Sequence, residues 1–273
     1  MKRILTATVA LPILLYTVWN DIPYFFALLT AIAVLLGLQE FYNLASKLEL
    51  RPQTILGYLA GTGVVACFTF RRVDLIIAVM AALAIVTLAI EVFRAEDVNK
   101  VLPSVAATVF GVVYVALLAG FLVGVRMIPD TATTPVVSQL AAKLMTTFFA
   151  MVMMTDTGAY YTGRTLGRHK LAPKVSPGKT IEGSIGGFIT AAVAGIICKY
   201  AFFPEAPIAH IAILGAIIGI VSQIGDLAES LLKRGSGVKD SGAIFPGHGG
   251  MLDRVDSLLF CAPILYYYAE WIL

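Results

Sequence analysis

Of 273 residues, 59% are apolar and only 14% charged, against about 45–50% and about 25% in an ordinary water-soluble domain. That excess has to face lipid, which excludes a soluble globular enzyme. The net charge of +3 says little as a total, and no nucleic-acid partner is expected.

The apolar residues fall in blocks long enough for an α-helix to cross about 30 Å of hydrocarbon. In chain order they predict nine helical spans at 4–19, 22–38, 54–70, 73–93, 104–125, 140–161, 181–203, 208–232 and 257–272. The fold class is therefore all-α, a polytopic membrane protein. The first block opens with Met1-Lys2-Arg3 like a signal peptide, but Tyr16-Thr17-Val18-Trp19 offers no small-x-small cleavage site, so it reads as a retained span. A tight turn, Asn20-Asp21-Ile22-Pro23, leads into the second.

No linker, charge run or span-pair repeat divides the chain, which reads as one membrane domain, 1–273, with N-terminal spans in 1–140 and the polar half in 141–273. Glycines recur at four-residue spacing in Gly57/Gly61, Gly120/Gly124, Gly183/Gly187 and Gly215/Gly219, a pattern that lets helix backbones approach closely in lipid. Cys67, Cys198 and Cys261 lie singly in apolar runs and read as small buried hydrophobes. With the amino terminus in the cytoplasm, fifteen of the twenty Lys and Arg fall on that side, as the positive-inside rule expects. Arg71-Arg72 runs against this orientation.

Residues 1–140 confine charge mainly to short loops, whereas 150–256 carries it within or beside helices and in two long cytoplasmic loops. In the eighth block Ser222, Asp226, Glu229 and Lys233 share one helix face by their offsets of three and four. An unpaired carboxylate there is costly, so Asp226 should meet a cation. The following loop carries Lys239-Asp240 and a Pro246-Gly247-His248-Gly249-Gly250 turn, and the ninth span opens with Asp253-Arg254-Val255-Asp256. Asp253 and Asp256, three apart, project from one face near a helix amino terminus, where the dipole favours negative groups.

Asp226, Asp253 and Asp256 form a candidate site for a hard cation, since oxygen ligands suit Mg²⁺ and bridge it to phosphates. Lys233, Arg234, Lys239 and Arg254 would neutralise such phosphates. The alternative is a buried salt-bridge network that holds the spans together. His248, between glycines, marks either a backbone that approaches something closely or a loop imidazole in water.

The other loop runs from Asp156-Thr157-Gly158 through Arg164 to Leu171-Ala172-Pro173-Lys174-Val175-Ser176-Pro177-Gly178-Lys179-Thr180. Its end imitates a phosphate-binding P-loop, but Pro173 stands where that motif needs glycine, and no β-strand is expected before it. The chemistry still serves: Lys174, Lys179 and the Ser176 and Thr180 hydroxyls can donate to phosphate near a helix start. Asp156 is either a further ligand or a partner for Arg164.

The run Ser230-x-x-Lys233-Arg234-x₄-Lys239-Asp240, then Pro246-Gly247-His248-Gly249-Gly250-x-x-Asp253-Arg254-x-Asp256, resembles the signature of the phosphatidate cytidylyltransferase (CDP-diacylglycerol synthase) family, with every fixed position present. Similarity to that family extends over roughly 150–260. The resemblance implies that CTP and phosphatidic acid give CDP-diacylglycerol and pyrophosphate, with Mg²⁺ as cofactor and room for a monovalent cation such as K⁺. It also implies a homodimer in the lipid bilayer of the inner membrane, its site facing the cytoplasm. Under it, Asp226, Asp253 and Asp256 form the metal centre, Lys239, Lys179 and Arg254 meet phosphate charge, and Ser176 and Thr180 seat a phosphate. A lipid phosphate with second pKa of about 6 is largely dianionic at neutral pH and needs no dedicated base to attack.

Two rivals remain: a CTP-dependent lipid-alcohol kinase, which lacks the complete Asp253-Arg254-x-Asp256 ending, and a cation-coupled transporter, for which no inverted repeat is detectable.

Overall fold

The computed structural model describes residues 2–129, 139–244 and 249–272. Among the described residues nine helices form: α1 (Lys2–Trp19), α2 (Tyr24–Lys47), α3 (Thr54–Thr69), α4 (Val73–Arg94), α5 (Val98–Arg126), α6 (Leu140–Leu166), α7 (Ile181–Ala201), α8 (Ile208–Gly235) and α9 (Leu252–Ile272). Each coincides with a predicted block. By length and composition α2, α4, α5, α7 and α8 can cross a membrane, while Ala10–Trp19 and Thr54–Thr69 are shorter apolar stretches. The chain is an all-α membrane protein.

Several helices outrun the hydropathy that announced them. α2 continues nine residues beyond the predicted end at Leu38, burying Glu40, Phe41, Tyr42, Leu44 and Ala45. α9 starts five residues before 257. A hydropathy window reads the apolar stretch, whereas an extension that buries only a stripe keeps its polar residues and drops below the signal. Within α5, Val112–Leu117 is wound as a π-helix.

One short β-hairpin was not expected: β1 (Lys170–Ala172) pairs antiparallel with β2 (Ser176–Thr180), Lys170 opposite Thr180 and Ala172 opposite Ser176. The expectation that no strand precedes the 173–180 segment is thereby corrected. The rejection of a P-loop still stands on Pro173, and Ser176–Thr180, which would form much of its phosphate cradle, are themselves the second strand.

The chain separates into two compact units, Met1–Met127 with Gly235–Arg254, and Ile128–Arg234 with Val255–Leu273. In the first, glycines make room for large side chains: Tyr42 fills the space where a Gly57 side chain would be, Leu38 that of Gly61 and Phe68 that of Gly120. Tyr42 also donates its hydroxyl to the Thr108 carbonyl at 3.0 Å.

In the second unit α6 and α7 lie backbone against backbone. A Cβ on Gly187 would stand 2.8 Å from the Thr155 carbonyl oxygen, and one on Gly183 equally close to that of Ala159. Thr190 donates to the Met154 carbonyl at 2.8 Å across the same seam. Gly215 and Gly219 of α8 rest on the α7 backbone at Ala192 and Phe188. These glycine faces are spent on packing inside the unit, where small residues gain dispersion contact that lipid cannot supply. Cys67, Cys198 and Cys261 are free and buried.

Candidate active site

The hairpin delivers the first site residues of the second unit. Thr180 ends β2 and caps α7: its backbone is extended, and its hydroxyl oxygen accepts the Gly183 N–H at 3.1 Å. That satisfies one of the amide groups a helix start leaves unpaired. Thr180 is buried, so the structure gives it a capping role in place of the expected phosphate seat. Thr180→Ala should cost about 1 kcal/mol of stability, read as a lower melting temperature in detergent, with KM for nucleotide changed less than about twofold. Ser176 opens β2, half-buried, while Lys174 lies exposed in the hairpin turn.

Lys179, one residue before that cap, reaches α8. Its ammonium lies 2.6 Å from Oδ2 of Asp226, and both side chains keep partial access to water, 24% and 34%. The cation that Asp226 requires is therefore Lys179. Ser230, one turn along α8, donates weakly to Asp226 Oδ1 at 3.4 Å. On α9, Asp256 is buried, with Oδ1 accepting the Ser257 N–H at 2.6 Å. Asp226, Asp156 and Lys233 all lie within electrostatic range of it, the first two as like charges. Close approach is possible because Gly225 has no side chain: a Cβ there would meet the Asp256 carbonyl oxygen at 2.8 Å.

Other expected phosphate binders have different employment. Lys233 is buried and pairs with Glu229, itself buried, one helical turn back. A buried pair of this kind holds its partners inside and is costly to split, so Lys233 serves the network rather than offering its charge to solvent. Arg234, exposed, donates from Nε to the Val175 carbonyl at 3.4 Å and tethers the hairpin turn to the end of α8. Arg164, which the sequence offered only as an alternative partner for Asp156, donates to the Tyr160 hydroxyl at 3.0 Å.

The first unit holds the loop before α9. Asp253 Oδ2 accepts the backbone N–H of Gly250 at 2.7 Å and of Ser241 at 3.0 Å, and lies 2.9 Å from the Ser241 hydroxyl. Gly249 has φ +78°, a backbone that side chains resist, and a Cβ there would run into the Asp253 carboxylate. Gly249 and Gly250 thus approach this carboxylate closely. Lys239 and Arg254 are exposed. His248 lies outside the described residues.

Beside Ser241 lies a group the sequence did not single out. Glu40, on α2, is buried, and its carboxylate accepts the N–H groups of Met251 and Leu252. Its signal was faint: one acid just past an apolar block reads as a helix-end charge, and nothing local discloses partners so distant in sequence.

Among the described residues no group of three or more His, Cys, Asp or Glu stands close enough to hold a metal ion. The expected three-carboxylate centre is thus not assembled in this structure. The donor chemistry of Asp226 and Asp256 nevertheless fits Mg²⁺, which commonly takes one or two carboxylates and completes its shell with water and substrate phosphate. A buried carboxylate next to a partly exposed one, with Lys179 already at the latter, is the setting such an ion would enter.

The model of the family described as "Cytidylyltransferase family" matches residues 1–272. The phosphatidate cytidylyltransferase of Bacillus subtilis (strain 168) is 46% identical over 122 residues, 44% of this chain and 45% of that protein. The protein of the same name from Staphylococcus haemolyticus (strain JCSC1435) is 50% identical over 117 residues, 43% of this chain and 45% of its own. YnbB of Escherichia coli (strain K12), an uncharacterized protein, is 37% identical over 175 residues, 64% and 57% of the two chains. The chain spans about half the length of the curated relatives it matches.

Proposed function

This chain belongs to the cytidylyltransferase family, and we propose that it joins CTP to phosphatidic acid, giving CDP-diacylglycerol and pyrophosphate. The observation that carries the reading is the Lys179–Asp226 pair, at 2.6 Å and partly open to water, in electrostatic company with Asp256. That is a cation from the strand before α7 and two carboxylates from α8 and α9, in a chain several of whose relatives are named for this activity.

In the proposed reaction a phosphate oxygen of phosphatidic acid attacks the α-phosphorus of CTP, and the bond to the β-phosphate oxygen breaks as pyrophosphate leaves. The second ionisation of a phosphomonoester, near pH 6, supplies a nucleophile without a protein base. The work left to the protein is to place two polyanions and spread their charge. Asp226 and Asp256 would hold Mg²⁺, which neutralises phosphate charge when bound. Lys179 would exchange its carboxylate partner for a phosphate oxygen as substrate arrives. Exposed Lys174, Lys239 and Arg254 would draw the nucleotide from solution. Asp253 is assigned to shaping the loop before α9. We place these groups at the cytoplasmic rim of the inner membrane, where the acyl chains of phosphatidic acid can stay in lipid while its head group meets CTP.

The test is product analysis with purified protein in detergent, labelled CTP, phosphatidic acid and Mg²⁺. CDP-lipid and pyrophosphate are expected, abolished by a chelator and restored by excess Mg²⁺. CDP together with a lipid phosphate formed from a long-chain alcohol would identify a kinase instead. Ion flux across sealed vesicles without CTP turnover would identify a transporter.

A further inference from the structure

Glu40 is 2% exposed, and no step of the reaction above uses it. A carboxylate withdrawn so far from water needs donors for its lone pairs. They come from 201 to 212 residues further along the chain: Oε1 accepts the Met251 N–H at 2.8 Å, and Oε2 accepts the Leu252 N–H at 2.9 Å and the Ser241 hydroxyl at 2.9 Å. Met251 and Leu252 stand at the start of α9, where a helix leaves its amide groups without internal partners. A negative charge there also complements the helix dipole. Glu40 is therefore a helix cap supplied by a distant helix.

The same carboxylate dictates what its neighbours can be. A Cβ on Gly242 or on Gly250 would collide with the Glu40 side chain, and one on Gly37, a turn earlier on α2, would crowd Leu252. The Ser241 hydroxyl lies 2.9 Å from both Glu40 Oε2 and Asp253 Oδ2, and its single proton serves one of the two acids at a time, while the Ser241 N–H stays with Asp253. Two carboxylates, three glycines and a serine thus hold residues 241–242 and 249–253 against α2. α9 leaves that lock and carries Asp256 one turn on.

We propose that Glu40 is a positioning residue for nucleotidyl transfer. By capping α9 and holding Ser241 and residues 249–252, it fixes the start of the helix that bears Asp253 and, three residues on, Asp256. The inference rests on the functional reading above for its catalytic meaning, but the lock itself is read from the hydrogen bonds alone.

The test compares Glu40→Gln with Tyr42→Phe, which removes a different buried hydrogen bond from the same helix and leaves the loop untouched. Each is assayed at the same distance below its own melting temperature. Glu40→Gln should lower kcat about 10- to 100-fold, as loss of an orienting partner does, with KM for CTP within threefold. Hydrogen exchange across 249–253 should accelerate at least tenfold. Tyr42→Phe should leave both kcat and that exchange within twofold. Ser241→Ala, which keeps Glu40, should reproduce the pattern more weakly and serves if Glu40→Gln does not fold. Retention of kcat within threefold in Glu40→Gln, or an equal loss in Tyr42→Phe, would overturn the proposal. If the wild type made no CDP-lipid, the functional reading would fall, while unchanged exchange in Glu40→Gln would separately refute the lock.

Discussion

Asp256→Asn is expected to lower CDP-lipid formation by about a thousandfold while leaving the protein folded and slightly more stable. The side chain is buried, with Asp226 and Asp156 as like charges in range and Lys233 and the Ser257 N–H opposing them. A carboxylate in that setting is unfavourable for the fold, since desolvation and like-charge repulsion both act against it. Asparagine keeps the shape and the oxygen that accepts the Ser257 N–H but removes the charge. If the role of Asp256 were to hold the helices together, the variant would lose stability and keep its rate. Under the proposed function the opposite holds: losing one preorganised charge at a phosphoryl-transfer site costs about 10²–10³ in rate or more, and relief of repulsion raises the melting temperature. Product assay and a thermal melt in detergent decide it. Activity above a tenth of wild type would remove Asp256 from the centre.

Gly187→Leu is expected to damage the fold severely, by about 3 kcal/mol. The first added carbon alone would sit 2.8 Å from the Thr155 carbonyl oxygen and 3.1 Å from the Ala159 Cβ. Neither neighbour can yield: one is backbone of a helix and the other a methyl group fixed to it. α6 and α7 would have to separate, breaking the Thr190 hydrogen bond to the Met154 carbonyl and disturbing the helix that presents Asp156. Gly178→Ala, in β2 with open space around it, provides the contrast and should leave the melting temperature within about 1 °C. A Gly187→Leu protein that melted with wild type would show the seam to be loose.

Much of this was legible in the residues because the bilayer simplifies the problem. Among the described residues each apolar block lies in a helix, and the four-residue glycine spacing at 183/187 and 215/219 marked real backbone contacts, since the forces concerned are local. The residues of the proposed site drew notice for the same reason: Asp226, Lys179 and Asp256 are polar where polarity is costly. Their employment was not. Whether Lys233 faces a substrate or Glu229 depends on which way one turn of α8 points, and whether Thr180 seats a phosphate or caps a helix depends on the strand before it. The hairpin escaped notice because a five-residue strand beginning Ser176-Pro177-Gly178 carries turn formers and no alternation. Glu40 escaped because its meaning lies in amide groups more than two hundred positions away, and hydrogen bonds at that separation leave no pattern along the chain.

The burial of all three cysteines has a practical side. Thiols enclosed among apolar side chains are shielded from water-soluble maleimides, so the native surface is silent to such reagents. A single cysteine introduced at an exposed loop position such as Lys239 would then be the sole reporter in intact cells or sealed vesicles. The sidedness of the membrane, inferred until now from the distribution of lysine and arginine, becomes a matter of which compartment the label reaches.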